Sequence, residues 1–323
     1  MTVATPYPSS MGRGERIWVA GGTGLVGSAI VRRLGHEPGL TLLAPSRQEL
    51  DLFELEAVAT FIQANRPDTV ILAAAKVGGI GANMAQPVAF LTENLAIQHN
   101  VMTSSVAGGV STIMFLGSSC IYPRECAQPM REQYYLTGAL EPTNESYAVA
   151  KIAGMRLAQA LHAEHGTRIL LPLPCNVYGQ GDHFDPEKSH VLSALVIKFE
   201  TARRTNQPSV TLWGTGSAFR EFIHCDDLAD ACLFLLDLDA DMGLINVGTG
   251  TDQSIADLAA LVAARVGFSG TIEWDTTKPD GMPRKVLDVS RLTAAGWQPK
   301  VELANGIDSV IAEYRSLFPE EGV

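Results

Sequence analysis

At 323 residues the chain exceeds the usual size of a single core, so one large unit with a smaller companion is expected. With 46% hydrophobic and 18% charged residues it is too apolar for a disordered chain, yet no apolar run is long enough to span a bilayer. A formal net charge of −11 excludes a nucleic-acid partner, which needs a basic footprint, and leaves room for a small anion held by a local Arg/Lys cluster.

Residues 1–13, "MTVATPYPSSMGR", lack the apolar centre of a signal peptide and read as a loose tail. From Arg16 onward, strand-like runs alternate with helical ones. "RIWVAG" precedes helical "LVGSAIVRRLG", "LTLLAPS" precedes "ELEAVATFIQA", "TVILAAA" precedes the long "PVAFLTENLAIQHNVMTSSV", and "STIMFLGSS" precedes a helix starting near Glu145. "RILLPLPCNVYG" continues the rhythm. Such units form right-handed crossovers, so the fold class is α/β, a doubly wound parallel Rossmann sheet. It occupies 14–178, with a returning segment near 220–240. After Gly179 the pattern loosens into a Gly- and Asp-rich loop, a helix through "VLSALVIKFETARR", the strand "SVTLWG", the helix "DDLADACLFLLDL" and shorter elements. Residues 179–323 are therefore expected to form mainly a substrate-binding domain.

"VAGGTGLVGSAI" places Gly21, Gly24 and Gly27 between the first strand and the first helix. Gly21 allows the tight turn, Gly24 lets backbone approach a pyrophosphate, and Gly27 lets helix and strand pack closely. Leu25 and Val26 fall on the same first turn, so this segment is expected to bind a dinucleotide. After the second strand "APSRQEL" has no acid to hold a ribose 2′-OH, and Arg47 can pair with a 2′-phosphate instead, which favours NADP(H). The other reading of Arg47 is a solvated surface arginine. Asp51 comes a few residues late for the ribose and is placed nearer the adenine.

"NESYAVAKIAG" sets Tyr147 and Lys151 four apart on one helical face, and the fourth strand ends at Ser118. A phenol is a weak acid-base group at neutral pH, but a neighbouring ammonium is expected to lower its pKa. Tyr147 can then exchange a proton with a carbonyl or alcohol oxygen during hydride transfer, while Ser118 donates to that oxygen.

The glycine loop, Ser118 and the Tyr147/Lys151 pair resemble the extended short-chain dehydrogenase/reductases. "AAAKVGGIGAN", "FLGSSCIYP", "LEPTNESYAVAKIAG", "KSHV", "LWGTGSAFREFIH" and "DGMPRKVLDVSRL" narrow the resemblance to the GDP-L-fucose synthase family, over about residues 16–300. That family implies an NADPH-dependent 3,5-epimerase and 4-reductase acting on GDP-4-keto-6-deoxy-mannose. Thr23 departs from the family, whose members often carry Arg at that place in the loop.

Epimerisation beside a ketone removes a proton from one face and returns one to the other, which calls for two acid-base groups. Cys120, two residues past Ser118, is usable as a base where a cation lowers its pKa, and His190 can serve as its counterpart. Taken alone, Cys120 reads as a buried apolar thiol and His190 as a structural or exposed loop residue. The resemblance assigns Cys120 as base and His190 as acid. It also places Lys198, Arg220 and Lys285 at the nucleotide sugar, with Trp213 beside them, although Lys198 reads equally as a helix-surface charge. Asn176 supports the nicotinamide pocket, and the cofactor set also includes Tyr147, Lys151 and His190. Gly78 and Gly79 give a turn that either approaches the sugar or is only a loop. The five cysteines are odd in number and contain no C-x-x-C pair, so no disulfide framework and no metal is expected, in a cytoplasmic setting. A homodimer is expected, paired through the long third and fifth helices.

Two other readings are open. One is a nucleotide-sugar 4-epimerase or dehydratase of the same superfamily that retains NAD. The other is a non-catalytic NADP-binding sensor or scaffold, which would not need Ser118, Tyr147 and Lys151 together.

Overall fold

The computed structural model describes residues 14–185, 189–238 and 242–320; the tail expected over residues 1–13 lies outside them. In chain order the elements are β1 (Arg16–Ala20), α1 (Leu25–Leu34), β2 (Thr41–Leu43), α2 (Leu55–Asn65), β3 (Thr69–Leu72), α3 (Ile80–Ala85), α4 (Pro87–Ala107) and β4 (Thr112–Phe115). They continue with α5 (Glu145–His165), β5 (Arg168–Pro174), β6 (Asn176–Tyr178), α6 (Val191–Arg204), β7 (Ser209–Trp213), β8 (Phe219–His224) and α7 (Cys225–Asp237). The last are β9 (Leu244–Val247), β10 (Asp252–Ser254), α8 (Ile255–Val266), β11 (Thr271–Asp275), β12 (Arg284–Lys285), α9 (Ser290–Ala294) and α10 (Leu303–Leu317).

Six strands pair in the order β2-β1-β3-β4-β5-β9, all parallel. β3 and β4 are buried along their whole length and β1 from its second residue, as apolar runs covered on both faces by crossover helices should be. The chain leaves β1 first toward β2 and then, from β3 on, to the other side, so the crevice beyond the ends of β1 and β3 is the topological switch point. β4 and β5 pair in register from Thr112 with Arg168 to Met114 with Leu170, and beyond them Gly117 N still donates to Pro172 O at 2.9 Å. In a parallel strand a residue's N–H and C=O point to the same neighbour, so Pro172 keeps the accepting half of its link to β4 and forgoes only the donated bond. The proline inside the sheet therefore removes one ladder hydrogen bond and no more.

The first core does not end with β5. α7 packs on α1, β9 supplies the sixth strand, and Met282, Leu287, Leu292 and Trp297 are buried in the same apolar cluster. A second core gathers α6, α8 and α10 around Phe199, Leu258, Val262 and Ile311. Here β8 pairs with β6, β10 and β12, and β7 with β11. Glu200 lies fully buried between α6 and α10 and accepts from Arg203 (2.9 Å), Arg204 (3.3 Å) and Arg315 (2.6 Å). Among the described residues no helix is long and apolar enough to cross a membrane.

Candidate active site

The turn after β1 is shaped by contacts that only glycine permits. Gly21 has φ +87°, and a Cβ there would lie 2.6 Å from Ala74 N; one on Gly27 would lie 2.0 Å from Gly21 O. Gly24 starts α1 with no side chain capping it and no acid in the first turn. The first amides of α1, Leu25 and Val26 included, therefore need an outside acceptor, and a pyrophosphate fits that need. Arg47 is exposed, with its guanidinium carbon 5.2 Å from the centre of the Phe53 ring. Asp51 turns one carboxylate oxygen into its own loop, accepting from Phe53 N at 3.0 Å.

Beyond β4 the chain is extended at Ser118, whose hydroxyl accepts from Cys120 N at 3.2 Å and so starts a tight turn over 119–121. That turn carries Cys120 back toward the start of α5. Tyr147 lies in the first turn of α5 and Lys151 one turn on, buried, its ammonium donating to Leu116 O at 2.8 Å and sitting 5.9 Å from the Tyr147 ring centre. Burial pushes Tyr147 up, the Cys120 charge adds to this, and the Ser118 hydroxyl only partly offsets it. The depressed phenol pKa expected from the sequence is therefore not found, because the Lys151 ammonium is spent on a backbone carbonyl and is itself lowered to about 8 by burial.

Cys120 is the most strongly partnered thiol of the site. Lys285 Nζ and Asn144 Nδ2 each donate to its sulfur at 3.2 Å. Burial would raise this thiol, but Lys285, the Ser118 hydroxyl and Arg220 together bring it below its ordinary value. His190 precedes α6, and its Nδ1 lies 3.2 Å from Asp182 Oδ1; Asp182 also accepts from His183 N at 2.9 Å and from the Ser193 hydroxyl. Burial alone would lower the imidazole, but the buried carboxylate overrides it and raises its pKa. The turn at 78–79 approaches this segment: a Cβ on Gly79 would lie 3.5 Å from Ser189 O, while Gly78 is packed against Phe90.

The four residues expected at the nucleotide sugar do not form one cluster. Lys285 is on Cys120. Lys198 donates to Thr211 O at 2.9 Å, and Trp213, two residues further along β7, is 52% exposed with its ring edge over Gly81. Arg220 donates to Asp280 O at 3.2 Å and borders a cleft of about 440 Å³ lined by Arg124, Glu141, Thr143, Ser217 and Asp280. Asn176 donates to Glu221 O at 2.7 Å, tying β6 to β8. Away from the site, ligand atoms of His224, Cys225 and Asp226 lie within 4.8 Å of one another, but Arg32 is directed at Asp226 (2.7 Å) and at Cys225 (3.8 Å), so this trio is organised by a guanidinium.

Two residues at the heart of this geometry, Asn144 and Asp182, were not singled out by sequence reasoning. Asn144 sits in the quoted "TNESY" and Asp182 eight residues before His190, but an Asn before a helix reads as a cap and an Asp in a Gly-rich loop as a turn former.

A glycine turn after β1 and a Ser/Tyr/Lys set at the end of β4, on a parallel sheet, define a dinucleotide-dependent enzyme of the extended short-chain dehydrogenase/reductase class. The chain belongs to the NAD dependent epimerase/dehydratase family, whose model matches residues 17–248. Within it the sequence groups with GDP-L-fucose synthases. It is 48% identical over 313 residues to GDP-L-fucose synthase 1 of Arabidopsis thaliana (97% of each chain) and 43% identical over 304 residues to the GDP-L-fucose synthase of Escherichia coli (91% of this chain, 95% of the other). Among solved structures it resembles a GDP-mannoheptose C4 reductase from Campylobacter jejuni with NADP bound, with a TM-score of 0.84 and 35% identity over 95% of this chain and 100% of that one.

Proposed function

We propose that this protein is an NADPH-dependent 3,5-epimerase and 4-reductase that converts GDP-4-keto-6-deoxy-mannose to GDP-L-fucose. The observation that carries this reading is the Cys120–Lys285 contact beside Ser118 and Tyr147, a second acid-base group at the end of the strand that bears the reductive set. A 4-epimerase that recycles its own hydride has no use for that second group. The likeness to GDP-L-fucose synthases over nearly the whole chain supports the same conclusion.

In this reading the α1 amides hold the pyrophosphate and Arg47 the 2′-phosphate, with NADPH supplying the hydride when bound. Leu25, Val26, Asp51 and Asn176 complete the cofactor contacts. Cys120 takes the proton from the carbon beside the ketone, while Ser118 donates to the oxygen that gains charge. His190, charged through its contact with Asp182, returns a proton to the opposite face. Once the carbon centres are inverted, Tyr147 gives its proton to the carbonyl oxygen as that oxygen becomes an alcohol. For a reduction the phenol must begin protonated, so its upward shift suits the task. Lys151, fixed one turn away by its contact with Leu116 O, is assigned to the cofactor in this reading. Trp213, Lys198 and Arg220 bind the nucleotide part of the substrate, Trp213 through its half-exposed indole and Arg220 from beside Gly281. The core containing α1 and α7 serves the cofactor and the core of α6, α8 and α10 the substrate. A homodimer and a reducing, cytoplasmic setting are part of the same proposal; five free cysteines suit the latter.

The test is incubation with GDP-4-keto-6-deoxy-mannose and NADPH, following NADPH oxidation and identifying the sugar released by hydrolysis. Fucose, formed with one NADPH consumed per sugar, is the expected result. Interconversion of sugars without NADPH consumption would establish the retained-NAD epimerase instead.

A further inference from the structure

We propose that Lys285 and Asn144 act jointly as positioning residues for Cys120, holding its sulfur as a thiolate, and that Lys285 thus serves proton transfer and not nucleotide binding. This rests on the reading of Cys120 as the base. Both donors meet the sulfur at 3.2 Å, one an ammonium and one a neutral amide, and they come from opposite parts of the chain: Asn144 from the turn before α5, Lys285 from β12.

The backbone around Lys285 is fixed on every side. Arg284 makes two contacts with Asp252, at 2.7 and 3.0 Å, and Val286 N donates to Gln128 Oε1 at 3.1 Å. Met130 N donates to Val286 O at 2.8 Å, and Leu287 N to the buried Glu221 Oε2 at 2.8 Å. A lysine meant to follow a flexible diphosphate does not need such a base; one meant to meet a single sulfur atom does. Its strand neighbour Arg220, in register with it, donates from its guanidinium to Asp280 O at 3.2 Å, and so is the cation left for phosphate.

The charged and titratable groups facing Cys120 are Lys285 from β12, Arg220 from β8, and Tyr147 and Lys151 from α5, with the Ser118 hydroxyl beside them. Lys151 is committed to Leu116 O, which leaves Lys285 as the ammonium in contact with sulfur. When the thiolate accepts a proton from the sugar carbon, the C–H electron pair stays on the substrate as an enolate. Negative charge moves from sulfur to oxygen, and the total charge of the site does not change. Asn144 Oδ1 is buried with no hydrogen-bond partner among the described residues, an acceptor that a hydroxyl of the bound sugar can satisfy.

The test is the pH dependence of Cys120 alkylation by iodoacetamide in the full-length protein without substrate, read by mass spectrometry of the Cys120 peptide. Cys225 and Cys232, buried and pushed up to about 12, serve as slow internal controls. In Lys285→Met the midpoint is expected to rise by at least about one pH unit, with Lys285→Arg restoring most of it and Asn144→Ala giving a smaller rise. Variants are first matched to wild type by circular dichroism, and if Lys285→Met does not fold, Lys285→Gln takes its place under the same criterion. An unchanged midpoint in the folded Lys285 variant would overturn the proposal and return Lys285 to substrate binding. Because no sugar is present, the result is independent of whether GDP-4-keto-6-deoxy-mannose is the substrate.

Discussion

Asp182 gives His190 both a direction and a charge. With Nδ1 facing the carboxylate, the other ring nitrogen is the one available to a substrate, and the raised pKa keeps the imidazole protonated further into the neutral range. Asp182→Asn should therefore move the alkaline limb of the pH–rate profile for epimerisation to lower pH and cut the rate at pH 8 by at least about tenfold. A pH–rate series on both proteins checks this. The same pair bears on stability. A histidine whose folded pKa is raised stabilises the fold fully below its unfolded value near 6.5, and that contribution is lost as pH rises through the raised value. The melting-temperature gap between wild type and Asp182→Asn should thus be wider at pH 6 than at pH 8. Cys120→Ser makes a separate prediction, since a serine hydroxyl beside Lys285 is too weak a base at neutral pH. Solvent-deuterium exchange at the sugar carbons flanking the ketone should fall by at least about a hundredfold, while slow reduction of the unepimerised ketone continues. Mass spectrometry of the sugar follows both quantities, and exchange at the wild-type rate would move the base elsewhere.

At the scale of elements, α6 and α10 are joined through one buried carboxylate. Replacing Glu200 with Ala removes the buried carboxylate shared by Arg203, Arg204 and Arg315, which keep Glu320, Phe318 O and Val266 O respectively, and the loss should be about 3 kcal/mol by denaturant titration. The loop after β2 bears on cofactor choice. Arg47→Asp removes a cation and adds repulsion, so the Kd for NADPH should rise at least about tenfold more than that for NADH, measured by fluorescence quenching. Equal losses would show that Arg47 does not meet the 2′-phosphate. Elements of the first sheet were legible because each is an apolar run followed by a helical period, as in "RIWVAG" and "TVILAAA". β10 and β12 have three and two residues and exist through pairing with β8, so no local pattern announces them, while β6 lies within the strand-like run "RILLPLPCNVYG" and is set apart from β5 by its pairing with β8. The same holds within the site. Ser118, Tyr147 and Lys151 carry their spacing in the sequence, whereas the meeting of Lys285 with Cys120, and of Asp182 with His190, is made by tertiary approach between segments with no shared period.

For the whole molecule, the first core is assembled from three stretches of chain. α7 and β9 come after the long detour through β6, α6, β7 and β8, and Trp297 closes the cluster, its indole N–H donating to Asp230 at 3.2 Å. A chain ending at residue 178 would lack the helix that covers α1 and the strand that covers β5. It should be recovered as insoluble or aggregated protein, which expression followed by sedimentation checks. On the ribosome the same arrangement acts as a delay. β5 emerges with Leu171 and Leu173 destined for burial, yet its neighbour β9 is made only after the detour, on the order of several seconds later at ordinary rates of synthesis. Through that interval the nascent sheet has an open, apolar edge that only a chaperone or the rest of its own chain can shield, and the crevice where cofactor would bind takes its final shape only when the last third of the protein has left the exit tunnel.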